Sequence, residues 1–177
     1  MSPRKLYLTL PLSLALAAFA PACSSTSTHA IEEGDPAHRS QLFGAISALE
    51  GRWKAVSPEG EGIIEFKVSS GGSVVRELMF PGEAHEMTNM YSLDGNDLIM
   101  THYCAGGNQP SMRARKLDGQ EIDFATAGVR DLNSADEVYM GEMTLRIVDA
   151  RRVEQHWRAF KGEELEGEMV FHLERID

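Results

Sequence analysis

The chain has 177 residues, 42% of them hydrophobic, with 17 Lys and Arg against 27 Asp and Glu and a formal net charge of −10. That length holds one domain of ordinary size together with an export segment and a tail. An acidic surface of this kind repels phosphate backbones, which excludes nucleic-acid binding as a function class.

At the N-terminus Arg4 and Lys5 precede an apolar run over residues 6–20, and small residues follow at Ala20 and Ala22. This is the layout of a secretory signal over residues 1–22, too short to span a membrane as a helix. The cleavage region "AFAPAC" ends in Cys23. A small residue directly before a cysteine, behind an apolar run, resembles the lipobox of bacterial lipoproteins. The resemblance implies a lipid anchor on Cys23, and Ser24 behind it implies sorting to the periplasmic face of the outer membrane. The alternative is plain secretion after a cut at or near Ala22. Removal of the signal leaves 15 basic residues (17 less Arg4 and Lys5) against 27 acids, a balance of −12. Lipidation would consume one of the two cysteines, so Cys104 is read as a lone thiol in an oxidising compartment.

Residues 23–35 are small, polar and acidic, and read as a flexible tether. In residues 36–50 Leu42, Ile46 and Leu49 recur at helical spacing before Gly51, which predicts one short amphipathic helix. From Gly51 onward the helical period disappears. Short runs rich in Val, Ile, Phe, Tyr and Thr are broken by turn residues, the pattern of an all-β domain. Ten strands are expected, at 51–56, 62–69, 73–80, 85–92, 97–104, 111–117, 121–127, 139–148, 152–160 and 164–174, with one long loop at 128–138. Connections of two to four residues force neighbouring strands to pair antiparallel. A meander of this length hides its edges by closing into an up-and-down barrel over residues 51–177. Alternation sets the inward face: Val153, Gln155, Trp157 and Ala159 on the ninth strand, and Leu165, Met169, Phe171 and Leu173 on the tenth.

A helix leading into "LEGRW", with Gly51-x-Trp53 on the first strand of a meander, resembles the lipocalin-like (calycin) barrels. The segments "GRW…GGSVVRELMFPGEAHEM…YSLDGNDL…THYC…GNQP" resemble a bacterial family of secreted proteins of unknown function with a barrel of this kind. The similarity spans residues 49–175 and rests on Thr101-His102-Tyr103-Cys104 and Gly107-Asn108-Gln109-Pro110. It implies the fold and a pocket, and no activity.

The least ordinary stretch is "LIMTHYCAGGNQPSMR", residues 98–113. Asp94-Gly95 is a strong hairpin signal, and centring the turn there sets His85 opposite Cys104, Met87 opposite His102, Asn89 opposite Met100 and Tyr91 opposite Leu98. A four-residue turn shifts the partners by one pair and keeps the same face. The apolar members of that face point it into the lumen. Ligand contacts are therefore expected from His85, Met87, Asn89, Tyr91, Met100, His102 and Cys104, joined by Gln155 and Trp157.

Several functions compete for this set. Methionines that adapt to apolar surfaces, beside His and Asn that orient a polar end, suit a small, largely apolar molecule. His85, His102 and Cys104 are donor types of a copper or zinc site, although none of the common spacings is present. A single barrel histidine also suffices to hold haem. A His–Cys pair is the start of a cysteine-enzyme site, but no third group or oxyanion donors are visible. Against these stands a structural account, in which histidine and cysteine are core residues and Gly106-Gly107 and Asn108-Gln109 serve the rim. The function expected is an envelope-anchored barrel that binds a small apolar molecule. The alternatives are a metal or haem protein or enzyme, and a protein-interaction barrel with a solid core.

Overall fold

The computed structural model describes residues 33–177; the expected signal, the Cys23 anchor and most of the tether lie outside them. The first element is a helix, α1 (Pro36–Ser47). Pro36 fits the first helical position, and the Asp35 side chain accepts a hydrogen bond from the Ala37 N–H, so the start is capped. Leu42 and Ile46 are its buried residues.

Ten strands follow in the places marked by the turn residues. They are β1 (Gly51–Ser57), β2 (Gly60–Ser69), β3 (Val74–Met79), β4 (Met87–Asp94), β5 (Asp97–Tyr103), β6 (Gln109–Ala114), β7 (Glu121–Arg130), β8 (Val138–Asp149), β9 (Arg152–Lys161) and β10 (Glu164–Arg175). Each pairs antiparallel with its chain neighbour, and β1 pairs with β10, so the sheet closes into a barrel with no free edge. The expected all-β, ten-stranded antiparallel barrel behind a short helix is what the chain forms.

One end of the barrel is plugged. Trp53 is fully buried, its indole N–H donates to the Leu49 carbonyl at 2.8 Å, and its ring meets Phe66 edge to face. The Arg175 guanidinium lies 4.3 Å from the Trp53 ring centre and donates to the carbonyls of Ala48 and Glu50 just past α1. Gly51 is needed here: at φ 131° it starts β1, and a Cβ on it would come within 2.7 Å of the Asp177 carbonyl oxygen. The first turn of α1 docks on the β4–β5 hairpin, where Arg39 donates to the Gly95 carbonyl and the Asp35 N–H to the Asn96 side-chain oxygen.

That hairpin differs from the tightest expected register. Asp94 pairs with Asp97, and the turn residues are Gly95 and Asn96, with Gly95 at φ 55°. Arg113 on β6 binds both flanking aspartates, at 3.0 and 2.5 Å, which favours this pairing. Every partner moves by one pair while the inward face is kept, so His102 faces Asn89 and Met100 faces Tyr91. A second local difference is Leu165. The ladder between β9 and β10 shifts between Leu165 and Gly167, which turns Leu165 out to 53% exposure while Met169, Phe171 and Leu173 stay inward.

Candidate functional site: a buried polar network beneath an open cavity

At the end of the barrel away from α1 the lumen opens into a cavity of about 370 Å³. Its walls are apolar: Met79, Phe80 and Met87 come from β3 to β4, and Met140, Met169 and Phe171 from β8 and β10. Trp157 of β9 and His102 of β5 complete the inner wall, with ring centres 5.1 Å apart. Carboxylates of Glu59, Glu61 and Glu83 line it with Ser57 and His85; Glu59, Glu61, Glu83 and His85 are exposed, which marks the mouth.

Phe80 is held in the left-handed region at φ 57°, unusual for an aromatic residue. Its amide still bonds to the Ile63 carbonyl, and its ring packs on His85 and Phe171 at 4.7 and 5.7 Å. Gly62 makes room, since a Cβ there would fall 2.6 Å from the Phe80 ring. The strained backbone thus places an aromatic wall at the mouth.

Beneath the cavity lies Glu77, fully buried on β3. Asn89 Nδ2 and Tyr91 Oη donate to its Oε2 at 2.7 and 2.6 Å, and Gln155 Nε2 donates to its Oε1 at 2.7 Å. Burial pushes the Glu77 carboxyl above its ordinary value, and the three donors oppose that shift. Burial, and then the charge of Glu77, push the Tyr91 phenol well up, so it keeps the proton it donates.

This network fixes the state of His102. Because Asn89 turns its amide nitrogen to the Glu77 carboxylate, its Oδ1 is the atom facing His102 Nδ1 at 2.6 Å. That oxygen only accepts, so Nδ1 carries the proton and the neutral ring has a bare lone pair on Nε2. Burial lowers the His102 pKa from 6.5 to about 4, so the ring is neutral at physiological pH. Nε2 is buried without a hydrogen-bond partner, on a residue only 1% exposed that lines the cavity. An unpaired buried acceptor costs about 1–3 kcal/mol. Trp157 offers it no donor, because its indole N–H is already given to Gln155 Oε1 at 3.2 Å.

The expected contact residues therefore separate by place. His85, Met87, His102 and Trp157 line the cavity. Asn89, Tyr91 and Gln155 form the network beneath it, and Met100 is buried in the core. Cys104 stands apart from both. It follows the last residue of β5, where Cys104 and Asn108 close a turn, and its Sγ accepts from the Gly106 N–H at 3.4 Å. Cys104 is a free thiol that forms no pair with His102, whose Nδ1 is taken by Asn89 and whose Nε2 is unpartnered. His85 is over half exposed, 3.6 Å from Glu83. The proposed triad of His85, His102 and Cys104 does not converge, and among the described residues no three His, Cys, Asp or Glu side chains are grouped to hold a metal ion. Asn108 and Gln109 serve the rim, as the structural account expects: Asn108 Nδ2 donates to Glu137 and to the Val138 carbonyl, and Gln109 Nε2 to the Gly107 carbonyl.

Glu77 is the residue missing from the sequence-derived set. Its signal was an acid between Val75 and Met79 on the inward face of β3. Met169 and Phe171 were expected on the inward face, but that they share one cavity with Phe80 and Met140 follows only once the barrel is closed.

No family model matches the chain, and no curated protein matches it. Among solved structures it is similar to Rv2717c from M. tuberculosis, with a TM-score of 0.56 and 16% identity over 82% of this chain and 100% of that one. A second similarity, to EF1p2_mFAP2b bound to DFHBI, has a TM-score of 0.31 and 9% identity over 78% of this chain and 98% of that one. The likeness to Rv2717c is one of fold, and it places this chain among closed antiparallel barrels.

Proposed function

We propose that this protein binds a small, largely apolar molecule in the open end of its barrel, and that it does so tethered to a bacterial envelope membrane through Cys23. The observation that carries the reading is a largely apolar cavity lined in part by His102, whose buried Nε2 has no hydrogen-bond partner. Methionine and aromatic walls adapt to an apolar body, and a single oriented acceptor fixes its polar end. The test is saturable binding of a neutral hydrophobic dye, Nile red, to the full chain, beside native mass spectrometry of the protein from its own cells. One-to-one binding that is lost in a Met140→Trp variant, which fills the cavity, supports the reading. Absence of saturable binding to the wild type would overturn it.

The same nitrogen favours a second reading. A histidine whose Nδ1–H is held by a second residue is how proteins orient an imidazole toward a metal, and His102 would supply one ligand to haem iron or to a metal ion. Metal analysis and the visible absorption spectrum of the native protein separate the two readings.

A further inference from the structure

Resting on the cavity reading above, we infer that this site selects against anions: its occupant is an apolar molecule whose buried end carries an N–H or O–H donor and whose charge, if it has one, is positive. Two independent features lead there. His102 lines the inner wall, and its one ring nitrogen without a partner, the buried Nε2, is an acceptor. The neighbouring donors are spent, the Trp157 N–H on Gln155 and the Asn89 and Gln155 amides on Glu77. A carboxylate or phosphate head would meet a lone pair there and gain no hydrogen bond. In the unliganded protein burial lowers the His102 pKa to about 4, which opposes the protonation an anion would need.

The mouth repeats the preference. Glu59, Glu61 and Glu83 line it, and no Lys or Arg is among the lining residues. Glu61 is paired with Lys54 at 2.8 Å, and Glu83 lies 3.6 Å from His85, a longer contact that is an ion pair only when the histidine is protonated. Like charges at the entry repel an anion in both its approach and its bound state. The aromatic rings of Phe80, Phe171 and Trp157 add faces that attract cations and not anions. No lysine or arginine among the lining residues is there to meet a carboxylate.

A matched alkyl series tests the inference by displacement of Nile red from the full chain at neutral pH. Dodecanol and dodecylamine are expected to displace the dye at concentrations about tenfold or more below dodecanoate. Glu59→Gln combined with Glu83→Gln, both exposed positions, should narrow that gap by improving dodecanoate and weakening dodecylamine while leaving dodecanol unchanged. His102→Phe should weaken dodecanol and leave dodecanoate unchanged. Dodecanoate competing as well as dodecylamine would overturn the inference and leave the cavity reading standing. A rim double variant that shifts no ligand would overturn the electrostatic half of it, whatever His102→Phe does to folding. Failure of the dye itself to bind would remove the cavity reading and this inference together.

Discussion

The two ends of this barrel are built from the same strands and have opposite characters. At the α1 end the polar groups of the plug are used: the Trp53 N–H meets Leu49, and Arg175 both covers the indole and ties down the carbonyls behind the helix, with the buried Ser47 hydroxyl at the end of α1 left unpartnered. At the open end His102 keeps a nitrogen unpaired, Phe80 holds a strained backbone, and the methionines Met87, Met140 and Met169 are only half-buried. Between them Glu77 binds three donors that would otherwise be orphaned. One end is made for stability, and the other carries costs that a bound molecule would repay. On the proposed reading, the difference assigns stability to one set of residues and binding to another.

That division can be broken by substitution. Trp53→Ala removes the largest fully buried side chain of the plugged end and should cost about 3–5 kcal/mol of unfolding free energy, read by urea denaturation. Glu77→Leu leaves the donors of Asn89, Tyr91 and Gln155 without an acceptor and should cost about 3 kcal/mol, with Glu77→Gln less severe. Either result near zero would mean that the plug or the network is not what holds the barrel. By contrast Met140→Ala, on a half-buried cavity wall, should cost about 1 kcal/mol or less while weakening Nile red measurably. A larger loss of stability than of binding there would erase the distinction between the ends.

Acid sharpens the comparison further. The His102 pKa is depressed from 6.5 to about 4 in the folded chain, so between those values the unfolded state binds a proton that the native state refuses. The stability associated with a neutral His102 is therefore complete above about pH 6.5 and is lost as the pH falls toward 4. Compared with His102→Gln, the wild type should lose up to about 3 kcal/mol more across that window. Equal slopes for the two proteins would show that the histidine is not held neutral.

Much of this architecture is written locally. Period-two alternation and turn residues such as Gly95 mark strands one by one, and closure is expected because pairing the first strand with the last removes both edges of the meander. The inward placement of His102, Asn89, Tyr91, Gln155 and Trp157 follows from the same parity. What local pattern does not carry is where a strand stops. Cys104 shares the parity of His102, yet β5 ends at Tyr103 and the chain turns away, so the thiol leaves the site. Leu165 shares the parity of Met169, and a bulge reverses it. Glu77 was visible as an acid on an apolar face, but its meaning depends on three partners up to 78 residues distant. Those contacts exist only in the closed barrel.

The most direct measurement is long-range ¹⁵N NMR of the His102 ring at neutral pH, in the free protein and on titration with dodecanol. The account predicts a neutral ring with its proton on Nδ1 and a bare Nε2, and an Nε2 resonance that moves as the alcohol binds. A proton on Nε2, or an Nε2 signal indifferent to a bound alcohol, would contradict it.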